Sequence, residues 1–343
     1  MNKQVVADVL RRIEFLEAHA HRLVIDADTH ATDTARLGGE QRRQFESAVD
    51  YYHGRPASAE DLLDEMRMAD VDMALIWQNP AVTPYCGDAA QDSESLLAAN
   101  RYIRDAARRF PDRFIPAGWV DPQACGVEGA LRMTEILIHE FGFLIVKMNP
   151  AQNMYPIDSE SVIAVVDRIV ELGGIPAFHY GADTPFTPAG GLERIALRHP
   201  AHPVVAVHMG GGGAAYIQAE QMYRESRSLG LHRPNIRFLL SARRDTHTES
   251  DLIAYQAAGE PFCRNLCCAS DAPYGRITWN FGGYRQIFRS LMEGSNHPDP
   301  RLRANPGLFT PEAVQGYLGG NVARLVVDGY RHLLKVNHAA GHH

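Results

Sequence analysis

Long apolar stretches, an excess of basic charge and a cysteine framework are all missing from this chain of 343 residues. Its longest apolar runs are about seven residues, whereas a helix that spans a bilayer needs roughly 20. The net charge of −7, with no basic stripe, argues against nucleic acid as a partner. Residues 1–22 mix charges with apolar residues at helical spacing. This pattern indicates an amphipathic helix and not a signal peptide, so no membrane association is expected.

The five cysteines are scattered, at positions 86, 125, 263, 267 and 268. Cys267 and Cys268 lie inside a predicted strand, where neighbouring side chains point to opposite faces. Such a pair forms neither a zinc knuckle nor an easy disulfide. Small buried thiols are typical of proteins in a reducing compartment, and the sequence therefore predicts a cytoplasmic protein.

Short apolar runs alternate with helical patterns along the whole chain, and eight of these runs are predicted to be buried strands. Such alternation predicts parallel pairing and an α/β fold, and eight units fit a closed (β/α)8 TIM barrel. The predicted organisation is an N-terminal helix over 1–22, one barrel domain over 23–335 that ends in a helical extension, and a tail over 336–343. Helices are expected over 59–70, with Ser58 as the cap, and over 213–228 and 311–335, whereas the polar segment 31–58 shows no clear periodicity.

Five predicted strands end in residues that bind metals or transfer protons: Asp28 with His30, Lys147, His179, His208 and Asp271. A buried strand has little use for a charge at its end unless that end opens onto a site. Carboxylates and imidazoles that converge from several strands suit a divalent metal. An open doubly wound sheet would instead place its ligand at one switch point, and only closure brings the first and eighth strands together.

Each motif also has an ordinary interpretation. Asp26, Asp28 and His30 are two apart, so they share a face of the strand and are expected at the barrel mouth together, but a capped turn would look the same. His179 alone would more often be structural. Lys147 is either a plain lysine that binds a substrate carboxylate or a carbamylated lysine that bridges two metals.

The motifs follow one another in a fixed order. They are Asp26-Ala-Asp-Thr-His30 after strand one, Val146-Lys-Met-Asn-Pro150 after strand four, Phe178-His-Tyr-Gly181 after strand five, Val207-His-Met-Gly-Gly-Gly212 after strand six, and Ala269-Ser-Asp-Ala-Pro273 after strand eight. The set resembles the amidohydrolase superfamily, in particular the amidohydrolase-related (amidohydrolase 2) branch of proteins similar to aminocarboxymuconate-semialdehyde decarboxylase. The resemblance covers about residues 23–330.

This resemblance implies a distorted barrel with one divalent ion, zinc in the first place and manganese as the alternative. It assigns Asp28, His30, His179 and Asp271 to the metal, and His208 with Asp271 to catalysis. Many members of the branch have a histidine where this chain has Asp28, and a carboxylate there shifts the preference from zinc toward manganese or magnesium. Related proteins are often dimers, so a homodimer is one expected state.

The first functional hypothesis is a metal-dependent hydrolase of a small carboxylated lactone, ester or amide, in which Asp271 accepts a proton from water and His208 polarises or protonates the substrate. The alternative is a non-oxidative decarboxylase, in which the metal and His208 control protonation of the substrate carbon. A third hypothesis, a metal-free binding protein, would leave many ionisable groups at buried strand ends without partners. Candidates for holding a substrate carboxylate are Lys147, Arg244 and Arg276, together with Arg55 and Arg243.

Overall fold

The structure, a computed structural model, describes residues 1–47, 54–212 and 218–340. Its strands are short, parallel and buried along almost their whole length, as the continuous apolar runs predict. They are β1 (Ile25–Ala31), β2 (Met73–Gln78), β3 (Phe114–Pro116), β4 (Gly118–Trp119), β5 (Ile145–Met148), β6 (Ile175–Gly181), β7 (Val204–Gly210), β8 (Ile236–Leu239) and β9 (Leu266–Cys267).

The strands form two parallel sheets, one with the order β1-β2-β3 and the other with the order β4-β5-β6-β7-β8-β9. In both sheets each strand pairs with its neighbours in the chain. The two sheets meet at Ala117, which separates β3 from β4 and donates its N–H to the carbonyl of Ile76 at 3.0 Å. The preceding Pro116 has no N–H for a ladder, which fits an interruption at this point. The predicted third strand, 113–120, is therefore found as two segments.

Backbone hydrogen bonds also join the first strand to the last. Ala27 donates to the carbonyl of Cys268 at 3.1 Å, and Asp271 donates to the carbonyl of Asp28 at 2.9 Å. The strands therefore form a ring with helices outside it, and the predicted (β/α)8 barrel of the TIM type is confirmed.

The helices lie between and after the strands. They are α1 (Lys3–His19), α2 (Gly39–Ser47), α3 (Ala59–Met68), α4 (Ala89–Arg109), α5 (Gly126–Glu135), α6 (Pro150–Asn153), α7 (Glu160–Glu171), α8 (Ala189–Arg198), α9 (Glu220–His232), α10 (Asp245–Ala258), α11 (Ile277–Met292), α12 (Pro300–Ala304), α13 (Pro311–Gln315) and α14 (Asn321–Ala340). The predicted N-terminal helix and C-terminal helical extension are α1 and α14, which pack against each other. Ser58 caps α3 through a capping box with Asp61, as expected.

Some predicted boundaries were wrong. The segment 31–58 contains α2, and α9 begins at Glu220 and not at 213; residues 213–217 of that predicted helix lie outside the described residues. The predicted helix 311–335 is divided by a π-helical turn at 316–320, and α14 continues to Ala340, so residues 336–340 are not a separate tail. Residues 341–343 are also outside the described ranges. The division into a single domain over 23–335 stays a prediction.

Gly319 permits a close approach within this π-helical turn. A Cβ on this glycine would come within 2.0 Å of the carbonyl oxygen of Leu23, so the turn packs backbone against backbone beneath β1. Within the described ranges, no helix combines the length and the apolar character that crossing a membrane requires.

Candidate metal centre and active site

The carboxyl ends of the strands open onto a cavity of about 560 Å³. Its walls contain most of the residues that the sequence analysis placed at strand ends, namely His30, Lys147, His179, His208 and Asp271. The remaining one, Asp28, is fully buried beneath them. Flat and apolar parts of the wall come from Trp119, Tyr274 and Pro80. The barrel therefore brings residues from five strand ends into one chamber, which is where barrel enzymes place their chemistry.

Three of the predicted ligands form a compact cluster. Asp28, His30 and Asp271 each offer one ligand atom, and these atoms all lie within 4.8 Å of one another. Nε2 of His30 is 3.7 Å from Asp28 Oδ1 and 3.4 Å from Asp271 Oδ1. Two carboxylates and an imidazole are a donor set that suits a divalent cation.

The tautomer of His30 supports this fit. Its Nδ1 lies 2.8 Å from the carbonyl oxygen of Gln78, which can only accept a hydrogen bond. Nδ1 therefore carries the proton, and Nε2 presents a lone pair to Asp28 and Asp271. A carbonyl or carboxylate behind a histidine is the usual way in which proteins orient a metal ligand. The residues present thus fit the metal that the sequence predicts.

Asp28 is held as a buried anion. Nε1 of Trp77 donates to its Oδ1 at 2.8 Å, and the hydroxyl of Ser241 donates to its Oδ2 at 2.8 Å. Burial alone would raise the pKa of Asp28, but the positive charge of Lys147 and, with it, the hydrogen bond from Ser241 hold this pKa below its usual range. The carboxylate is therefore ready to bind a cation at neutral pH.

Lys147 lies close to the carboxylate of Asp28. Its Nζ lies 3.5 Å from Asp28 Oδ1, between the rings of Trp77 and Trp119 at 4.8 and 4.9 Å from their centroids. An ammonium group over two aromatic faces is a favourable arrangement for a cation. This geometry favours the plain lysine over a carbamylated bridge between two metals.

His208 is oriented through a serine that sequence reasoning missed. Nδ1 of His208 lies 2.9 Å from Ser241 Oγ, and Ser241 has only one hydroxyl proton, which it donates to Asp28. Nδ1 of His208 must therefore be the donor, so its Nε2 carries a lone pair. Burial is the largest cause that lowers the pKa of His208, to about 4. The ring is therefore neutral at pH 7.

Backbone geometry at the strand ends is also unusual. His208 and Asp271 have φ angles of +75° and +62°, in the left-handed region that non-glycine residues seldom occupy. Such conformations cost roughly 1–3 kcal/mol each and occur preferentially at functional sites. Here they place both side chains in the wall of the cavity.

His179 lies in the cavity wall but outside the three-residue cluster. Its Nε2 lies 2.9 and 3.1 Å from the two carboxylate oxygens of Asp183, and its ring centroid is 4.7 Å from that of His208. Burial would raise the pKa of Asp183, but the hydrogen bond with His179 lowers it overall. Asp183 is in the loop after β6, where an acidic residue gives no signal in the sequence. That His179 is a fourth ligand stays a prediction.

Three of the predicted carboxylate-binding arginines have partners within the protein. Arg243 is in the cavity wall, but its guanidinium bonds Asp251 and the carbonyls of His208 and Met209. Arg244 pairs with Glu220. Arg276 lies 3.4 Å from Glu65 and over the ring of Trp279. Among the described residues of the wall, neither Arg244 nor Arg276 appears, and Lys147 is the cation nearest the cluster.

Asp26 does not reach the barrel mouth, contrary to the two-residue periodicity argument. It is fully buried and absent from the described wall, and the pairing of β1 with β2 shifts register between Asp26 and Thr29. Its Oδ1 accepts from the N–H groups of Asp28 at 3.2 Å and Ser270 at 2.9 Å. Burial raises the pKa of Asp26 to about 8, so it serves as a neutral brace between the first and last strands.

A TIM barrel with a carboxylate–imidazole cluster at the carboxyl ends of its strands defines an enzyme with a divalent-metal site. The sequence profile of the amidohydrolase family (Amidohydrolase) matches residues 18–325. The chain therefore belongs to this family, as the motifs predicted, and is a metal-dependent hydrolase or carboxy-lyase.

Solved structures share the fold. An uncharacterised TIM-barrel protein from Bordetella bronchiseptica is 16% identical with a TM-score of 0.61, over 89% of this chain and 99% of that one. The 2,6-dihydroxybenzoate decarboxylase from Rhizobium is 12% identical with a TM-score of 0.61, over 89% of this chain and 98% of that one. A third structure is 5-carboxyvanillate decarboxylase from Novosphingobium aromaticivorans, complexed with manganese and 4-hydroxy-3-methoxy-5-nitrobenzoic acid. It is 16% identical with a TM-score of 0.58, over 90% of this chain and 97% of that one. A search of curated proteins found no match.

Proposed function

We propose that this protein is a carboxy-lyase that removes carbon dioxide, without oxidation, from a small hydroxylated aromatic acid. The observation that carries the proposal is the cavity itself, in which the Asp28–His30–Asp271 cluster faces a chamber with aromatic walls. Two of the fold relatives are decarboxylases of aromatic acids. Decarboxylation is therefore better supported than the hydrolysis that the sequence analysis placed first.

The cavity suits such a substrate in size and in polarity. Its volume of about 560 Å³ accommodates a single substituted ring, and Trp119 and Tyr274 offer flat surfaces against which a ring can pack. Lys147, together with a divalent ion held by the cluster, would place positive charge at the inner end, where the carboxylate and a neighbouring hydroxyl of the substrate would lie. The apolar ring would then point away from the cluster.

Asp28, His30 and Asp271 would hold the divalent ion, with His179 as the predicted fourth ligand. When bound, the ion supplies positive charge that orients the oxygens of the substrate and stabilises the negative charge that develops on them. The presence of two carboxylates in the cluster favours manganese as much as zinc. Manganese is bound in the structure of the Novosphingobium enzyme.

Decarboxylation breaks the bond between the ring carbon and the carboxylate, leaves the electron pair on the ring and adds one proton to that carbon. Asp271 is placed to deliver this proton from its carboxyl group, because its side chain lies in the wall and is 13% exposed to the cavity. His208 is placed to accept a hydrogen bond from a substrate hydroxyl at Nε2, because its own proton is held at Nδ1 by Ser241. Asp271 then regains a proton from water through the open cavity.

Hydrolysis is the second candidate, and the same exposed carboxylate favours it. An ionised Asp271 could accept a proton from an attacking water as readily as a protonated one could donate to carbon. The two reactions differ in product, and the test must therefore be chemical.

We would assay metal-reconstituted protein with 2,6-dihydroxybenzoate and 5-carboxyvanillate in one arm, and with carboxylated lactones and N-acyl compounds in the other. Carbon dioxide release is expected in the first arm, and it should be lost in Asp271→Asn and His208→Ala. Asp64→Asn, on the exposed surface of α3, is the control that should leave the rate unchanged. Acid release from a lactone or amide, with no carbon dioxide from any aromatic acid, would replace the proposal with the hydrolase.

A further inference from the structure

A second cavity, of about 500 Å³, lies at the opposite end of the barrel from the active site. Its walls come from the segments just before β6, β7, β8 and β9 and from one side of α14. The amino ends of the strands face this cavity, whereas the carboxyl ends face the metal cluster. The barrel interior separates the two chambers, so this one does not belong to the active site.

We call this second cavity the lower cavity and the active-site cavity the upper one. Arginines are the main charged groups of the lower cavity. Arg237, Arg264 and Arg324 line it, together with the acidic residues Glu260 and Asp328. Arg264 pairs with Glu260. In the part of the chain that the structure describes, no carboxylate oxygen lies within 4 Å of Arg237 or Arg324. The described wall of the cavity therefore has an excess of one positive charge, and two of its three guanidinium groups form no ion pair with a described residue.

Among these groups, Arg237 gives the strongest indication that the cavity binds an anion. It projects from β8, is half-buried, and donates from Nη1 to the carbonyl of Pro234 at 2.6 Å. Burial is the largest cause that lowers its pKa. A guanidinium group has five N–H donors, so this one has further donors to offer a ligand. Asp328 acts on Arg237 only from beyond ion-pair distance, so this partly buried cation has no direct ion pair among the described residues, and an anion in the cavity would supply one.

The neutral part of the wall indicates what kind of anion fits. Ile175, Leu325 and several prolines give the cavity an apolar side. The rings of His202 and His332 meet edge to face at 5.5 Å, and His202 uses Nε2 to donate to the carbonyl of Gly174 at 2.6 Å. A ligand with an apolar body and one oxyanion group would match both the apolar side and the free guanidinium groups.

We propose that this lower cavity is a second ligand site, which binds a small organic oxyanion, a carboxylate or a phosphate ester, between Arg237 and Arg324. The site is independent of the reaction in the upper cavity and of the metal there. Planar guanidinium groups bind carboxylate and phosphate oxygens with the same fork of donors, so both classes are included.

The test is calorimetric titration of the full-length protein with benzoate, phenyl phosphate and inorganic phosphate. One site per chain that depends on Arg237 and Arg324 is expected for benzoate or phenyl phosphate, in addition to any binding in the upper cavity, and its Kd should be weakened roughly tenfold or more by Arg237→Gln and by Arg324→Gln. Arg324 is exposed on α14, so its replacement leaves the fold intact even if Arg237→Gln does not. Inorganic phosphate has the charge without the apolar body, and it should bind more weakly than phenyl phosphate.

Two control variants separate the sites. Arg331→Gln removes an arginine from the same helix that pairs with Glu17 outside this cavity, and it should not change binding. Lys147→Gln alters the upper cavity and should also leave this binding unchanged. The proposal is overturned by an absence of binding up to about 10 mM ligand, by binding that Lys147→Gln abolishes, or by binding that is indifferent to Arg324→Gln. Equal affinity for inorganic phosphate and phenyl phosphate would overturn the proposal that the ligand is organic.

Discussion

Replacement of Ser241 by alanine tests the way in which the site orients its catalytic histidine. The hydroxyl of Ser241 is buried, donates to Asp28 Oδ2 at 2.8 Å and accepts from His208 Nδ1 at 2.9 Å. Alanine removes both bonds without adding volume. The Nδ1–H of His208 loses its acceptor, and Asp28 loses one of the donors that stabilise its charge.

The structure sets the size of the expected effect. A buried donor that loses its partner costs about 1–3 kcal/mol, so the His208 tautomer with the proton on Nε2 becomes competitive. That tautomer has no lone pair to offer a substrate hydroxyl. Removal of a group that orients a metal ligand commonly lowers metal affinity by about 10–100-fold. Ser241→Ala should therefore weaken metal binding and lower kcat at saturating metal, each by roughly one to two orders of magnitude.

The measurement is a metal titration of chelator-treated protein, followed by kcat and KM at saturating metal. Ser241→Thr keeps the hydroxyl and should restore most of both. Ser226→Ala is the matched control, because Ser226 is an equally buried serine that bonds the carbonyl of Met222, away from the cluster. It should reduce stability without changing metal affinity. Wild-type metal affinity and kcat in Ser241→Ala would refute the assignment of the His208 tautomer.

Three further predictions follow from the same geometry. Asp271→Asn should lower turnover by about 10²–10⁴ with an unchanged circular dichroism spectrum, because it removes a proton donor at the cavity wall and no core packing; a smaller loss would exclude that role. Mass spectrometry should find about one divalent ion per chain, reduced in His179→Ala but retained in Lys147→Ala, because only the first removes a predicted ligand; an empty site in Lys147→Ala would favour the carbamylated alternative. Gly211→Ala should cost about 1–3 kcal/mol in denaturant unfolding, since its Cβ would lie 2.2 Å from a carbonyl oxygen, whereas Gly282→Ala, in α11 with open space around it, should not destabilise.

Much of the site could be predicted from the sequence because parallel strands carry their carboxyl ends to one face. That rule alone placed His30, Lys147, His208 and Asp271 in one cavity, although they are far apart along the chain. Ser241 is also at the end of a predicted strand and obeys the same rule. A serine is common in turns, however, and only the distances to Asp28 and His208 reveal its role.

Other features depend on directions that the sequence does not encode. Arg244 and Arg276 come after β8 and β9, where a substrate-binding arginine would be expected. Each nevertheless has a carboxylate partner outside the cavity. Asp26 has the spacing of a ligand, but it is fully buried and its Oδ1 accepts from the N–H groups of Asp28 and Ser270. A strand pattern gives the face on which a residue lies and not the depth at which it lies.

The closure of the barrel through Asp28 and Asp271 has a consequence for the order of folding. The bond between Ser241 and Asp28 spans 213 residues, and the one between Ser270 and Asp26 spans 244. Contacts of such long sequence separation form late. During synthesis, the first half of the cluster leaves the ribosome long before the second half exists. The ion therefore cannot nucleate the fold, and we expect it to enter a chain that is already complete. Once there, it would link the first strand to the last, and its removal should weaken the barrel at this seam.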